Sequence, residues 1–234
     1  YREIAKSGVQ TLVCDSTNVF SQKAGQSEAS LGPHITKMIK DASGMVVATT
    51  FASNVARLKT LAQAGVDSGR SVVVLGRAMK KMLSYANFAG MIDDFPPIID
   101  VDDAHDIPRE NLMLLVTGSQ GERRAASAQL SKGKYLGLSM REGDTFLFSS
   151  KTIPGNEVGV GQIMNAFSEM GVNVVDESTG HYHVSGHANR PDLAEIHRIF
   201  KPKMVIPMHG EHRHLRAHAD LAAERNIPSL IARN

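Results

Sequence analysis

Short apolar runs recur along this chain, with longer stretches of mixed polar and apolar positions between them. Runs at residues 8–14, 45–49, 71–75, 112–116, 145–148, 172–175 and 203–207 read as short buried strands. The stretches at residues 27–40, 54–64, 77–87 and 160–170 read as helices, the first despite Gly32-Pro33 in its opening turns. Ser53-Asn54 supplies an N-cap for the second. A further helix is expected up to residue 130, and one after each of two histidine clusters near the end of the chain. Residues 19–27 are polar and glycine-bearing, and residues 93–109 are rich in Asp and Pro, so both read as loops, the second one exposed. Strands that alternate with helices argue βαβ units, and the fold class is α/β with a parallel sheet flanked by helices on both faces.

Composition excludes more than it suggests. A length of 234 residues with 42% hydrophobic and 21% charged content suits an ordinary globular core. No apolar run approaches the roughly 20 residues that span a bilayer, so no membrane partner is expected. The lone Cys14 excludes an internal disulfide and fits a reducing cytoplasm. A net charge of +2 gives no bulk signal for nucleic acid, so local arrangement would have to supply one. The chain opens on Tyr1 rather than Met, as expected for a piece of a longer protein.

Candidate chemistry concentrates in the histidines. Six of the seven that lie between residues 181 and 214, His181, His183, His187, His209, His212 and His214, fall in two clusters. The two clusters follow the expected strands at 172–175 and 203–207, and carboxyl ends of strands are where ligands gather in open α/β sheets. His181-x-His183 with His187 has the look of a metal triplet but has no acidic or further histidine ligand beside it. His212 and His214 fall on a helix, where positions two apart diverge, so at least one is a surface residue, as is His218. Neither G-x-G-x-x-G after a strand nor G-x-x-x-x-G-K-[ST] occurs, which argues against a nucleotide cofactor. Thr117-Gly118-Ser119-Gln120-Gly121-Glu122 is either a phosphate-cradling strand-to-helix turn or a structural one, and Ser149-Ser150 has the same ambiguity.

Six motifs then make a specific resemblance: Asp15-Ser16-Thr17-Asn18, Thr50-Phe51-Ala52-Ser53-Asn54, Thr117 to Glu122, Ile153-Pro154-Gly155-Asn156-Glu157, His183-Val184-Ser185-Gly186-His187-Ala188 and Pro207-Met208-His209-Gly210-Glu211. In that order they resemble the ribonuclease J family, the bacterial and archaeal branch of the β-CASP metallo-β-lactamase nucleases. The resemblance implies a β-CASP domain at residues 20–183 inserted between metallo-β-lactamase segments at 1–19 and 184–234. It implies a zinc-dependent ribonuclease acting from the 5′ end and internally on single-stranded RNA, with two zinc ions and a homo-oligomeric full-length protein.

By that resemblance, Asp15 and His187 form a catalytic pair, His209 ligates zinc, and His183, Ser185, Gly186, Ser119 and Ser150 contact the RNA phosphate. Arg77, Arg123, Arg124 and Lys151 either join those phosphate contacts or are solvated charges. Departure from the family is equally plain. H-x-H-x-D-H occurs nowhere, so the chain is expected to be an inactive fragment whose residues 1–18 and 184–234 lack their sheet partners. The other reading is a non-catalytic RNA- or partner-binding module on the same scaffold. Single-stranded DNA offers the same phosphates and bases, and only 2′-OH contacts separate it from RNA.

Overall fold

The structure, a computed structural model, describes residues 1–232, so the last two residues of the expected segment 184–234 lie outside the described residues. In chain order the elements are α1 (Arg2–Ala5), β1 (Thr11–Asp15), α2 (Gly32–Asp41), β2 (Val46–Thr49), α3 (Val55–Asp67), β3 (Ser71–Leu75) and α4 (Arg77–Phe88). They continue with β4 (Leu112–Val116), α5 (Ala126–Leu130), β5 (Thr145–Phe148), α6 (Glu157–Glu169), β6 (Asn173–Val175), α7 (Arg190–Phe200), β7 (Met204–Met208) and α8 (His212–Ala223). Two compact units result: Ser27–Val184, and Tyr1–Gln26 together with the described part of Ser185–Asn234.

In the Ser27–Val184 unit, five parallel strands form one sheet in the order β3-β4-β2-β5-β6. Their continuous apolar runs follow from burial on both faces. Val46, Ala48, Met113 and Leu115 pack with Ile35 and Ile39 of α2, Leu58 and Leu61 of α3 and Met79 of α4. Their neighbours Met45, Val47, Leu114 and Val116 pack instead with Leu130 of α5 and Ile163 and Phe167 of α6. The period of two along each strand therefore sorts side chains into two cores. Past α4 the chain rounds the β3 edge, where the Ile99 N–H donates to the Val72 carbonyl at 2.9 Å. That pairing blunts an edge that would otherwise offer free backbone groups. The 93–109 stretch is mostly exposed, as expected, although it buries Ala104 in the second core.

In the other unit, β1 and β7 pair in parallel, with Asp15 opposite Met208. This corrects the expectation that residues 1–18 and 184–234 lack strand partners, because they partner each other. Val19, Leu193 and Leu221 pack against Cys14 and Ala217, and Val205, Ala222 and Ile227 against Leu12. Element boundaries differ from expectation where backbone chemistry intervenes. β1 starts at Thr11 rather than residue 8, since Gly8 closes the short α1 with φ 78°. The expected helix at 27–40 splits into a 3₁₀ turn at Glu28–Ser30 and α2, whose early Pro33 needs no N–H donor. No helix among the described residues is long and apolar enough to cross a membrane.

Candidate functional site

Asp15 is the last residue of β1, and its carboxylate is fixed locally before any histidine reaches it. Oδ1 accepts the Thr17 backbone N–H at 2.9 Å, and the Thr17 hydroxyl lies 3.3 Å from Oδ2. Burial pushes the Asp15 carboxyl up, but the Thr17 N–H, the neighbouring His187 ring and the Thr17 hydroxyl outweigh it and leave the pKa below the usual carboxylate value. The group is therefore an anion at neutral pH, ready to accept.

Two imidazoles meet it. His187 Nδ1 is 3.1 Å and His209 Nδ1 2.7 Å from Asp15 Oδ2. The two rings stack with centroids 5.3 Å apart. His187 sits on the loop ahead of α7, held by Asn18, whose side-chain amide donates to Ser185 Oγ at 3.1 Å and to the His187 carbonyl at 3.3 Å. His209 leaves β7 in the left-handed region, φ 54°, a conformation that L residues keep only where surroundings enforce it. Thr17 helps to enforce it, with its Oγ1 3.0 Å from the His209 carbonyl and 2.9 Å from His209 Nδ1. The following Gly210 is required too, because a Cβ there would lie 2.8 Å from His214 Cβ.

Among the described residues, Asp15, His187 and His209 are the one group of three whose donor atoms converge as a metal site does, all within 4.8 Å of one another. Donors on one tetrahedral zinc stand roughly 3.3 Å apart, given bonds of about 2.0–2.1 Å. The two spacings to Asp15, 2.7 and 3.1 Å, lie close to that value, and two imidazoles and a carboxylate suit a zinc ion in chemistry. Alternatively each Nδ1–H donates to Asp15, which leaves each Nε2 directed away from the carboxylate and available as a ligand or proton donor.

The remaining expected residues divide by environment. Ser185 Oγ accepts from Asn18 and from the His187 N–H at 3.2 Å, and Gly186 is exposed with open space where a Cβ would be. Ser119 and Ser150 are buried, and the Ser150 hydroxyl has no hydrogen-bond partner among the described residues. Arg77, Arg123, Arg124 and Lys151 are exposed, and each follows a strand of the five-stranded sheet. His183 lies in the Ser27–Val184 unit, half-buried, with Nδ1 3.3 Å from a guanidinium nitrogen of Arg57. His181 does not join a metal triplet, and its Nε2 meets the Ser30 hydroxyl at 2.9 Å.

Sequence reading placed His218 on the surface, and that is corrected. It is fully buried, its Nδ1 2.9 Å from Ser16 Oγ and its Nε2 3.2 Å from His197 Nε2. Arg57 was missed altogether, although a lone arginine beside Leu58 and Leu61 in the first turn of an apolar helix is the signal that could have raised it.

Comparison with known proteins gives a consistent result. Residues 43–167 match the family model described as Ribonuclease J, beta-CASP domain. Residues 171–232 match the Zn-dependent metallo-hydrolase RNA specificity domain, which supports a metal cofactor. The chain is similar to Ribonuclease J of Sinorhizobium meliloti, 40% identical over 230 residues that cover 98% of this chain and 41% of that protein. It is 36% identical to Ribonuclease J of Mycolicibacterium smegmatis, over 96% of this chain and 40% of the relative. Against Ribonuclease J of Mycobacterium tuberculosis the identity is 36%, over 99% of this chain and 42% of the relative. The chain thus spans about two-fifths of the length of the relatives it matches.

Proposed function

This chain belongs to the ribonuclease J β-CASP family, and from that premise we propose that it is part of a zinc-dependent ribonuclease that hydrolyses RNA phosphodiester bonds from the 5′ end and internally. The observation that carries the reading is the convergence of Asp15, His187 and His209. In the proposed organisation, residues 20–183 are the β-CASP domain and segments 1–19 and 184–234 belong to the metallo-β-lactamase domain. The substrate is single-stranded RNA, the compartment the cytoplasm, as the single Cys14 suits, and the full-length protein a homo-oligomer.

In this reading His209 ligates one of two zinc ions, and donors beyond this cluster complete the pair, since three donor residues are too few for two ions. Bound metal supplies an activated water and polarises the phosphodiester. Asp15 accepts from His187 Nδ1–H and so keeps His187 Nε2 available to protonate the leaving oxygen. His183, Ser185, Gly186, Ser119 and Ser150 are proposed to hold the phosphate. The buried Ser119 and Ser150 would act through small local movements, with the unpaired Ser150 hydroxyl the better supported of the two.

The test is hydrolysis of 5′-labelled single-stranded RNA by the full-length protein, with zinc measured on the same preparations. Chelation and His209→Ala are each expected to abolish cleavage, the variant with loss of zinc. Undiminished cleavage by His209→Ala would overturn the metal assignment. RNA binding without cleavage by the metal-loaded full-length protein would favour a binding module.

A further inference from the structure

Arg57 is one of the largest fully buried side chains in the protein, with 0% of its surface exposed, although it carries an obligate positive charge. Every edge of its guanidinium is occupied. Nε and Nη2 face the Glu28 carboxylate as a fork, the second at 2.9 Å. Nη1 reaches the Ser149 carbonyl at 2.8 Å, Ser149 Oγ at 3.0 Å, the Tyr182 carbonyl at 3.5 Å and His183 Nδ1 at 3.3 Å. The Ser149 hydroxyl donates to the Tyr182 carbonyl at 2.7 Å, which ties the end of β5 to the stretch that bears His183. Stability alone explains such a node poorly, since a buried ion pair seldom outperforms apolar residues of the same volume.

A guanidinium has five N–H donors and no acceptor. Its contact with His183 Nδ1 is a hydrogen bond only if Nδ1 carries no proton, and a neutral imidazole then bears its proton on Nε2. We propose that Arg57 is a positioning residue that fixes His183 as a neutral imidazole with its Nε2–H available to a phosphate oxygen. The inference rests on the reading of His183 as a phosphate contact and adds the form in which it makes that contact. The charged groups that face the ring are Arg57 from α3, Glu28 from the 3₁₀ turn and Lys151 from the loop after β5. Burial first, then the Arg57 and Lys151 charges, against an opposing Glu28, hold the His183 pKa down at about 4. A neutral N–H donor keeps its proton throughout the physiological range, whereas an imidazolium contact fades as pH rises past about 6.5.

Nitrogen-15 NMR of the histidine rings in the 234-residue chain tests this, with His183 assigned by comparison with His183→Gln. The expected spectrum shows His183 in the Nε2–H form and unprotonated down to pH 5. An Nδ1–H form, a mixture of tautomers, or protonation with a midpoint above pH 6 in the unsubstituted protein would overturn the proposal, whatever any variant does. Arg57→Lys keeps the charge and loses the fork, so it is expected to yield a tautomer mixture; an unchanged Nε2–H population would overturn the role of Arg57. Inorganic phosphate added to the unsubstituted protein is expected to move the His183 Nε2–H signal. A silent ring overturns the phosphate reading while the tautomer measurement stands by itself.

Discussion

Asp15 Oδ2 lies within hydrogen-bonding range of two imidazoles, 2.7 Å from His209 and 3.1 Å from His187, and the consequences of removing each partner differ. If His187 protonates the leaving oxygen, His187→Ala in the full-length protein lowers turnover by on the order of 10²–10⁴-fold with zinc near the unsubstituted level. His209→Ala removes a metal ligand, so zinc and turnover fall together. Asp15→Asn should follow the His187 variant in turnover, because it releases the tautomer of that ring. Zinc analysis beside turnover separates the three, and loss of zinc from His187→Ala with retention in His209→Ala would reverse the assignments. These three residues were legible because their motifs stand in family order along the chain. Arg57 and His218 were not, because burial of a cation or an imidazole depends on partners that sequence spacing does not show. Ser16, which meets His218, is 202 positions away.

Among the elements, the link from β1 to α8 to α7 runs through Ser16, His218 and His197, all buried. Burial and the neighbouring His197 hold the His218 pKa down at about 4, against 6.5 for the free side chain. The sign follows directly. Between pH 6.5 and about 4 the unfolded chain takes up a proton that the folded chain refuses, so stability is full above pH 6.5 and falls through that window. His183, also near 4, acts in the same direction. Each is expected to contribute on the order of 1–3 kcal/mol of loss, seen as a lower urea midpoint at pH 5 than at pH 7.5. His218→Gln should flatten part of that dependence while lowering stability at neutral pH, and an undiminished slope would show that other groups govern it. Strands and the helices between them were the readable elements, since two-sided burial writes itself as apolar runs such as residues 112–116. The start of α5 at Ala126 was not readable. Gly121, with φ 76°, lies against the backbone of Gly159 and prolongs the turn past the expected helix start.

At the scale of the molecule, a net charge of +2 gives no bulk attraction for RNA, and if the proposed RNA contact is made, Arg77, Arg123, Arg124 and Lys151 are the candidate cations for it. RNA affinity is expected to fall linearly with log salt, and each phosphate-contacting cation removed, as in Arg123→Gln, should reduce the slope by about 0.7. Fluorescence anisotropy across a salt series measures this, and salt-independent binding would mark those residues as a protein-facing surface instead. The pairing of β1 with β7 has a consequence of another kind. Thr17 and His209, which meet beside that pair, are 192 positions apart. Closing so long a flexible loop costs roughly 4–5 kcal/mol of chain entropy. All five strands of the larger sheet lie between β1 and β7, so that sheet can form without either and shorten the loop left to close. On the ribosome, Asp15 is made some 190 residues ahead of His209. A chain halted before β7 therefore carries all five strands of the larger sheet and two of the three converging donors, Asp15 and His187, and the third arrives only once β7 has been made.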